Sequence, residues 1–227
     1  MNNSVANHTQ DSTLTKKPPW RCRFPESEQR LPWLSMLLDA CAIIDKGTAH
    51  AIKKEIKRRK SPLACKKNCD SCCRTHTDIP IYPHEMAGIY WYAAEQMEQT
   101  VRAVLRGRIL TPPTDASCPF LIDASCSIHP IRPAACRQFN VFNKPCAEGE
   151  DPFFTRRADV LTPIREYIDK AFYTVLPFYG VTGEAERNKA IESKILHTQA
   201  KNLKSLKWLT LVKAMDDFDN RQNSPNR

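Results

Sequence analysis

Apolar positions recur at helical spacing in four stretches of the chain. In residues 31–60, Leu34, Leu37, Leu38, Cys41 and Ile44 fall on one face, the pattern of an amphipathic helix. Cys41 lies within that stripe and reads as a buried core thiol. Gly47-Thr48 is a point at which the stretch would divide into two helices, and Ser61-Pro62 ends the second, because the residue before a proline is pushed out of helical geometry. Pro83 opens a helix over 83–107 with the stripe Met86, Ile89, Tyr90, Ala93, Met97, Val101 and Leu105. Thr162 as cap, with Pro163 in the first position, predicts a helix over 163–176. A last helix, 184–217, carries Ile191, Ile195, Leu203, Leu206, Leu209 and Val212 opposite a basic face. Its Glu184 and Glu186 suit the positive end of a helix dipole.

The predicted fold is therefore mainly α, with helices around an irregular cysteine-rich core and minor extended segments such as 77–81. Residues 1–30, rich in Asn, Ser, Thr and Pro, read as a flexible tail that holds Cys22 as a bystander thiol. Residues 31–182 read as a cysteine-cluster domain, 183–220 as a C-terminal helical extension and 221–227 as a tail.

Between the helical stretches, regular patterning fails and cysteines accumulate. The first window reads Cys65-Lys-Lys-Asn-Cys69-Asp-Ser-Cys72-Cys73. The second holds Cys118-Pro-Phe-Leu, Cys126-Ser-Ile-His, Arg132-Pro-Ala-Ala-Cys136-Arg137 and Pro145-Cys146. Eight of the ten cysteines lie in these windows. The second window is proline-rich, so something other than backbone ladders must hold it, and a metal would do so. Thiols three or four positions apart in a loop can aim their sulfurs at one ion at about 2.3 Å. They must bind as thiolates, whose mutual repulsion the metal charge offsets.

Several chemistries suit this ligand set. All-thiolate ligation with x2 and x3 spacings, and the Cys118-Pro119 pair, suit an iron–sulfur cluster, with a four-iron cubane the expected form. Cys69-x2-Cys72 is half of a structural zinc site, although the second window lacks the matching Cys-x2-Cys pair. A redox dithiol at Cys69 and Cys72, or a strained disulfide between Cys72 and Cys73, is a third reading, and incidental thiols are the fourth. Cys65-x3-Cys69-x2-Cys72 also has the spacing of radical S-adenosylmethionine enzymes. Ser71 stands where those have an aromatic residue, and no repeated strand–helix units are present.

Arg132 and Arg137 flank Cys136 as candidate cofactor-binding residues, where a guanidinium would stabilise thiolates and a negative cluster. Both also suit hydrogen bonds to loop carbonyls. His76 and His129 could complete a mixed site but read first as side chains bonded to loop backbone. Phe120, Leu121 and Ile128 are expected to pack over the metal loop. His50, His84 and His197 are placed on helix surfaces, and Glu85 beside His84 is no acid–base pair.

The ordered combination of the two windows resembles the YkgJ-type cysteine-cluster family, a group taken to chelate zinc or iron that also occurs in flagellin lysine methylases. The resemblance covers residues 65–146. It implies metal ligation by Cys65, Cys69, Cys72 and Cys73 and by Cys118, Cys126 and Cys136, with Arg132, Pro133 and Arg137 as companions and Cys146 at the edge of the pattern. Methylation is not carried over, because those methylases are considerably longer.

Composition narrows the classes further. Only 6 glycines in 227 residues argue against nucleotide-binding loops. No run approaches the roughly 18 apolar residues of a membrane helix, and residues 1–17 show no secretory signal. A cytoplasmic location is expected, and in a reducing compartment clustered cysteines are metal ligands more often than disulfides. The formal charge of +9 reads as a basic surface suited to an acidic protein partner. Lys53, Lys54, Lys57, Arg58, Arg59 and Lys60 form a basic stripe, but without the interleaved aromatics of single-strand binders no nucleic-acid partner is expected.

Overall fold

The computed structural model describes residues 20–115 and 117–223. Its spine is α2 (Pro32–Arg59), which starts on a proline at the first position and ends where Lys60 turns left-handed at φ 52°. The helix runs unbroken through Gly47. That glycine does not divide the stretch because it serves packing: a Cβ there would lie 2.5 Å from Tyr167 Cβ. Tyr167 belongs to α8 (Arg165–Val175), which packs along α2. Between them lies a core of Ala40, Ile44, Phe172, Val175 and Leu176. α8 starts later than expected. Ile164 is its extended N-cap and packs on a small core of Ala51, Phe142 and Leu161, so Thr162 and Pro163 stay outside the helix.

The tail expected over 1–30 is ordered in its described part, and residues 1–19 lie outside the described residues. Arg21 has a fully buried side chain that pairs with Glu28 and Asp39. Glu28 sits on α1 (Pro25–Arg30). Cys22 is exposed, with its thiol 3.9 Å from the Pro130 carbonyl.

The helix expected over 83–107 is two. α4 (Pro83–Trp91) runs into a π-helical turn, Tyr92–Gln96, after which Met97 is extended and α5 (Gln99–Leu110) begins. The wide turn closes with the Met97 amide on the Tyr92 carbonyl, and the break keeps Met97 buried. The helix expected over 184–217 is also interrupted. α9 (Glu184–Glu192) has no buried residue, and Lys194 then turns left-handed. Leu196, Leu203 and Trp208 are buried one by one in the irregular chain before α10 (Leu209–Asn223).

The main core joins α2, α4 and α5 to α10. Leu34, Leu37, Ile89 and Leu105 meet Phe120, Ile128, Trp208, Leu211 and Met215. Asp219 of α10 pairs with Arg102 and Arg106 of α5 at 3.0 and 2.9 Å. Strands are minimal. β1 (Pro80–Ile81) pairs antiparallel with β4 (Lys201–Asn202), with Pro80 opposite Asn202, while β2 (Leu121–Ile122) and β3 (Ser125–Cys126) form a hairpin. Among the described residues no helix is long and apolar enough to cross a membrane. In the basic stripe, Arg58 and Arg59 are both paired with Glu55, which leaves Lys53, Lys54, Lys57 and Lys60 as its charge.

Three histidines expected on helix surfaces have partners. His84 is buried and shares a 2.6 Å hydrogen bond with the Tyr179 hydroxyl, and burial pushes its pKa down to about 3. His50 shares one with Tyr167 at 2.6 Å and His197 one with Tyr82 at 3.0 Å.

Candidate metal centre

The first cysteine window is a tight turn followed by a short helix. The Cys69 amide closes on the Lys66 carbonyl at 3.1 Å, with Asn68 left-handed between them at φ 65°. Asparagine tolerates that region better than most side chains. α3 (Ser71–Thr75) then carries Cys72 and Cys73. Upstream, the Ala64 amide donates to the Val141 carbonyl at 2.8 Å, and the Val141 amide donates to the Cys65 sulfur at 3.3 Å.

The second window is held by hydrogen bonds rather than regular structure. The Cys118 amide donates to the Cys73 carbonyl at 2.8 Å, which ties the windows together at the backbone. Cys126 is on β3, in a two-residue hairpin whose turn residues Asp123 and Ala124 are both left-handed. That turn suits the right-handed twist of the strands. Ser127 returns amide and hydroxyl bonds to the Phe120 carbonyl. Cys136 is on α6 (Ala134–Gln138), which follows the buried Pro133.

Two buried ionisable side chains brace that last loop. Arg137 donates to the carbonyls of Arg132 and Pro130, at 2.8 and 2.6 Å, and to Asp45 at 2.7 Å. Glu85 accepts the Ala134 amide at 2.7 Å and the Tyr82 amide at 3.0 Å. Burial dominates Glu85 and pushes its carboxyl up to about 7 against those two bonds. Arg137 is therefore occupied with the loop, whereas Arg132 has a buried Nε without a hydrogen-bond partner.

The windows converge on one cavity of about 760 Å³, and Cys69, Cys72, Cys73, Cys118, Cys126 and Cys136 all line it. Cys65 and Cys146 are not in its lining. They stand beside it, where Cys146 senses the charges of Cys65 and Cys69. All ten cysteines are free thiols, so Cys72 and Cys73 are not joined. Among the described residues, no three Cys, His, Asp or Glu side chains already stand in metal-holding geometry. Cys41 packs against the main core, and its thiol is pushed up to about 11 by burial.

Burial also raises the cluster thiols. It takes Cys118 up to about 11 and Cys136 well above the usual thiol value, and it raises Cys126 and Cys65. Cys72 is raised first by its hydrogen bond with Cys73 and then by burial. These side chains are thus neutral thiols near pH 7 until a cation displaces their protons. Positive charge is already nearby, with Arg132 acting on Cys72 and Cys126, and Lys204 on Cys118. The donor set fits a thiophilic metal or an iron–sulfur cluster by its chemistry, with ligation requiring the sulfurs to close in.

The histidines of the windows lie at the rim. His76 Nδ1 is 2.8 Å from Asp151 and its ring meets Phe139 edge-on at 3.9 Å, while His129 is exposed. Burial lowers the pKa of both. Phe120, Leu121 and Ile128 are buried under the loop as expected. Sequence reasoning missed Glu85 and Asp45 as braces and Phe153 and Phe154 at the cavity. A carboxylate two places into a proline-led helix carries no sign of a partner about fifty residues away.

Residues 64–159 match the family model CxxCxxCC, described as "Putative zinc- or iron-chelating domain". The match covers less than half of the chain and agrees with the cysteine-cluster resemblance. It supports metal binding by this region and allows both metals. No curated protein and no solved structure matches the chain.

Proposed function

We propose that this protein holds an iron–sulfur cluster in the cavity between its two cysteine windows, in the cytoplasm, and serves a redox or cluster-assisted transfer role. The carrying observation is that six thiols from windows far apart in sequence line one cavity. Cys72, Cys118, Cys126 and Cys136 are the favoured ligands, because Cys136 senses the charges of the other three across the cavity and Cys72 also acts on Cys118 and Cys126. Four thiolates are what a four-iron cubane takes. Cys73, Cys69, Cys65 and Cys146 are then reserve or neighbouring ligands, and adjacent Cys72 and Cys73 do not both bind one iron.

When bound, such a cluster supplies one-electron chemistry. The chain does the rest. Arg132 offsets thiolate charge, Arg137 and Glu85 fix the loop that carries Cys136, and Phe120 and Ile128 keep water from below. Structural zinc without catalysis is the second reading, favoured by the zinc in the description of the matched family. The basic helix surface then meets an acidic protein partner.

Anaerobic purification with iron and zinc analysis separates the two. The first reading expects brown protein with visible absorption that dithionite bleaches. Colourless protein with stoichiometric zinc, after expression with ample iron, rejects it.

A further inference from the structure

We propose that the cavity above the thiols also binds a small organic anion, its carboxylate or phosphate seated on Arg132 and its apolar body held against Phe153 and Phe154. The inference deepens the metal-centre reading, on which it rests for the identity of the cavity floor.

Size is the first argument. About 760 Å³ lies within the 300–1,000 Å³ typical of small-molecule sites, and the thiols form only part of the lining. Arg132 is the second. Its guanidinium is always charged and presents a planar fork matched to carboxylate and phosphate; its Nε is enclosed without a hydrogen-bond partner, so the anion is to be held by its terminal nitrogens. Arg137, five residues on, shows the contrast, since its donors are taken by two carbonyls and Asp45.

Apart from the thiol floor, which is negative once it binds metal, the charge of the lining favours an anion. Lys66 and Lys67 add positive charge to the wall. Of the acidic lining residues, Asp70 is paired with Arg74 at 2.6 Å, and Asp151 caps Phe153 at 2.9 Å and lies against His76. Asp78 stays at the exposed edge. The aromatic pair supplies the apolar contact. Phe153 and Phe154 line the cavity with 46% and 74% of their surface exposed and their rings edge-to-face at 5.2 Å. An organic body there removes apolar surface from water and lies over the thiol floor.

The test uses the full chain, purified anaerobically with metal measured on each sample. Phenyl phosphate, benzoate, inorganic phosphate and phenol are titrated and followed by ligand-observed NMR. Phenyl phosphate or benzoate is expected to bind, and which of them binds more tightly identifies the anion. Phenol is expected to bind about tenfold more weakly or worse. Arg132→Gln is expected to weaken the anions by about tenfold, and Arg132→Lys, which keeps the charge without the fork, by less. Phe154→Ser, at an exposed site the fold tolerates, is expected to weaken phenyl phosphate but not inorganic phosphate. Phenol binding as tightly as phenyl phosphate, or no anion binding to metal-replete protein, overturns the proposal. Anion binding by protein that never acquires metal upholds this site and fails the metal reading instead.

Discussion

The amide of Cys118 donates a 2.8 Å hydrogen bond to the carbonyl of Cys73. The two cysteine windows are thus joined through backbone, independently of any sulfur. Changing a sulfur removes a ligand without unfastening the windows.

Serine at Cys72, Cys118, Cys126 or Cys136 is therefore expected to lower bound metal per chain while leaving the helical circular dichroism largely intact. Serine at Cys22 or Cys41, which are outside the cavity, is expected to leave metal content unchanged. Elemental analysis of the purified variants checks both. Full metal retention in all four window variants would remove the cavity thiols from the ligand set.

Glu85 makes stability depend on pH. Burial raises its folded-state pKa from 4.5 to about 7, so its favourable contribution is complete below pH 4.5 and is lost as pH rises through 7. The loss amounts to at most about 3 kcal/mol. Glu85→Gln gives up one acceptor for a backbone amide, costing about 1–3 kcal/mol at pH 5, but it removes the buried charge. Urea denaturation at pH 5 and pH 8 is expected to show this cost shrinking at the higher pH. An equal cost at both would contradict the buried carboxylate.

Gly47→Ala sets helix propensity against packing. Alanine gains about 1 kcal/mol in a helix interior, but its Cβ would stand 2.5 Å from Tyr167 Cβ and Cγ, and overpacking costs about 1–3 kcal/mol. The single variant is expected to be destabilised. The same change in a Tyr167→Gly background, which removes both the Cβ and the Cγ it would meet, is expected to stabilise by the full propensity gain. A double-mutant cycle by denaturant unfolding reads the coupling, and additive effects would refute the contact.

Phe120 is completely buried and meets Trp208 edge-to-face at 4.9 Å. Phe120→Ala is expected to cost about 3–5 kcal/mol and, since Phe120 lies two residues from Cys118, to lower metal retention in a chelator challenge. Trp208→Ala is expected to cost a similar amount, because that ring ties the C-terminal segment into the main core. A change below 1 kcal/mol for either would mean the pair contributes little.

The helical stretches over 31–60, 83–107 and 163–176 were legible because one-sided burial imposes a 3.6-residue period, and α2 runs to within a residue of its expected ends; over 184–217 the stripe misled, since α9 buries no residue and Ile195 and Leu209 are exposed. Their interruptions were not. The break at Met97 answers its burial in the main core, and Gly47 reads as a breaker until Tyr167 is seen against it. The Asp123-Ala124 hairpin was also hidden, since its residues lack the glycine that usually marks such a turn.

For the site, the sequence determined by itself that sulfur donors cluster in two windows and that two arginines stand beside Cys136, because ligand chemistry is a property of residue type and spacing. Tertiary structure alone decided which thiols share a cavity, that Arg137 is consumed by loop carbonyls while Arg132 is left with an unpaired donor, and that Glu85 braces the loop. Such pairings depend on where distant segments meet in space, and no local pattern along the chain encodes that distance.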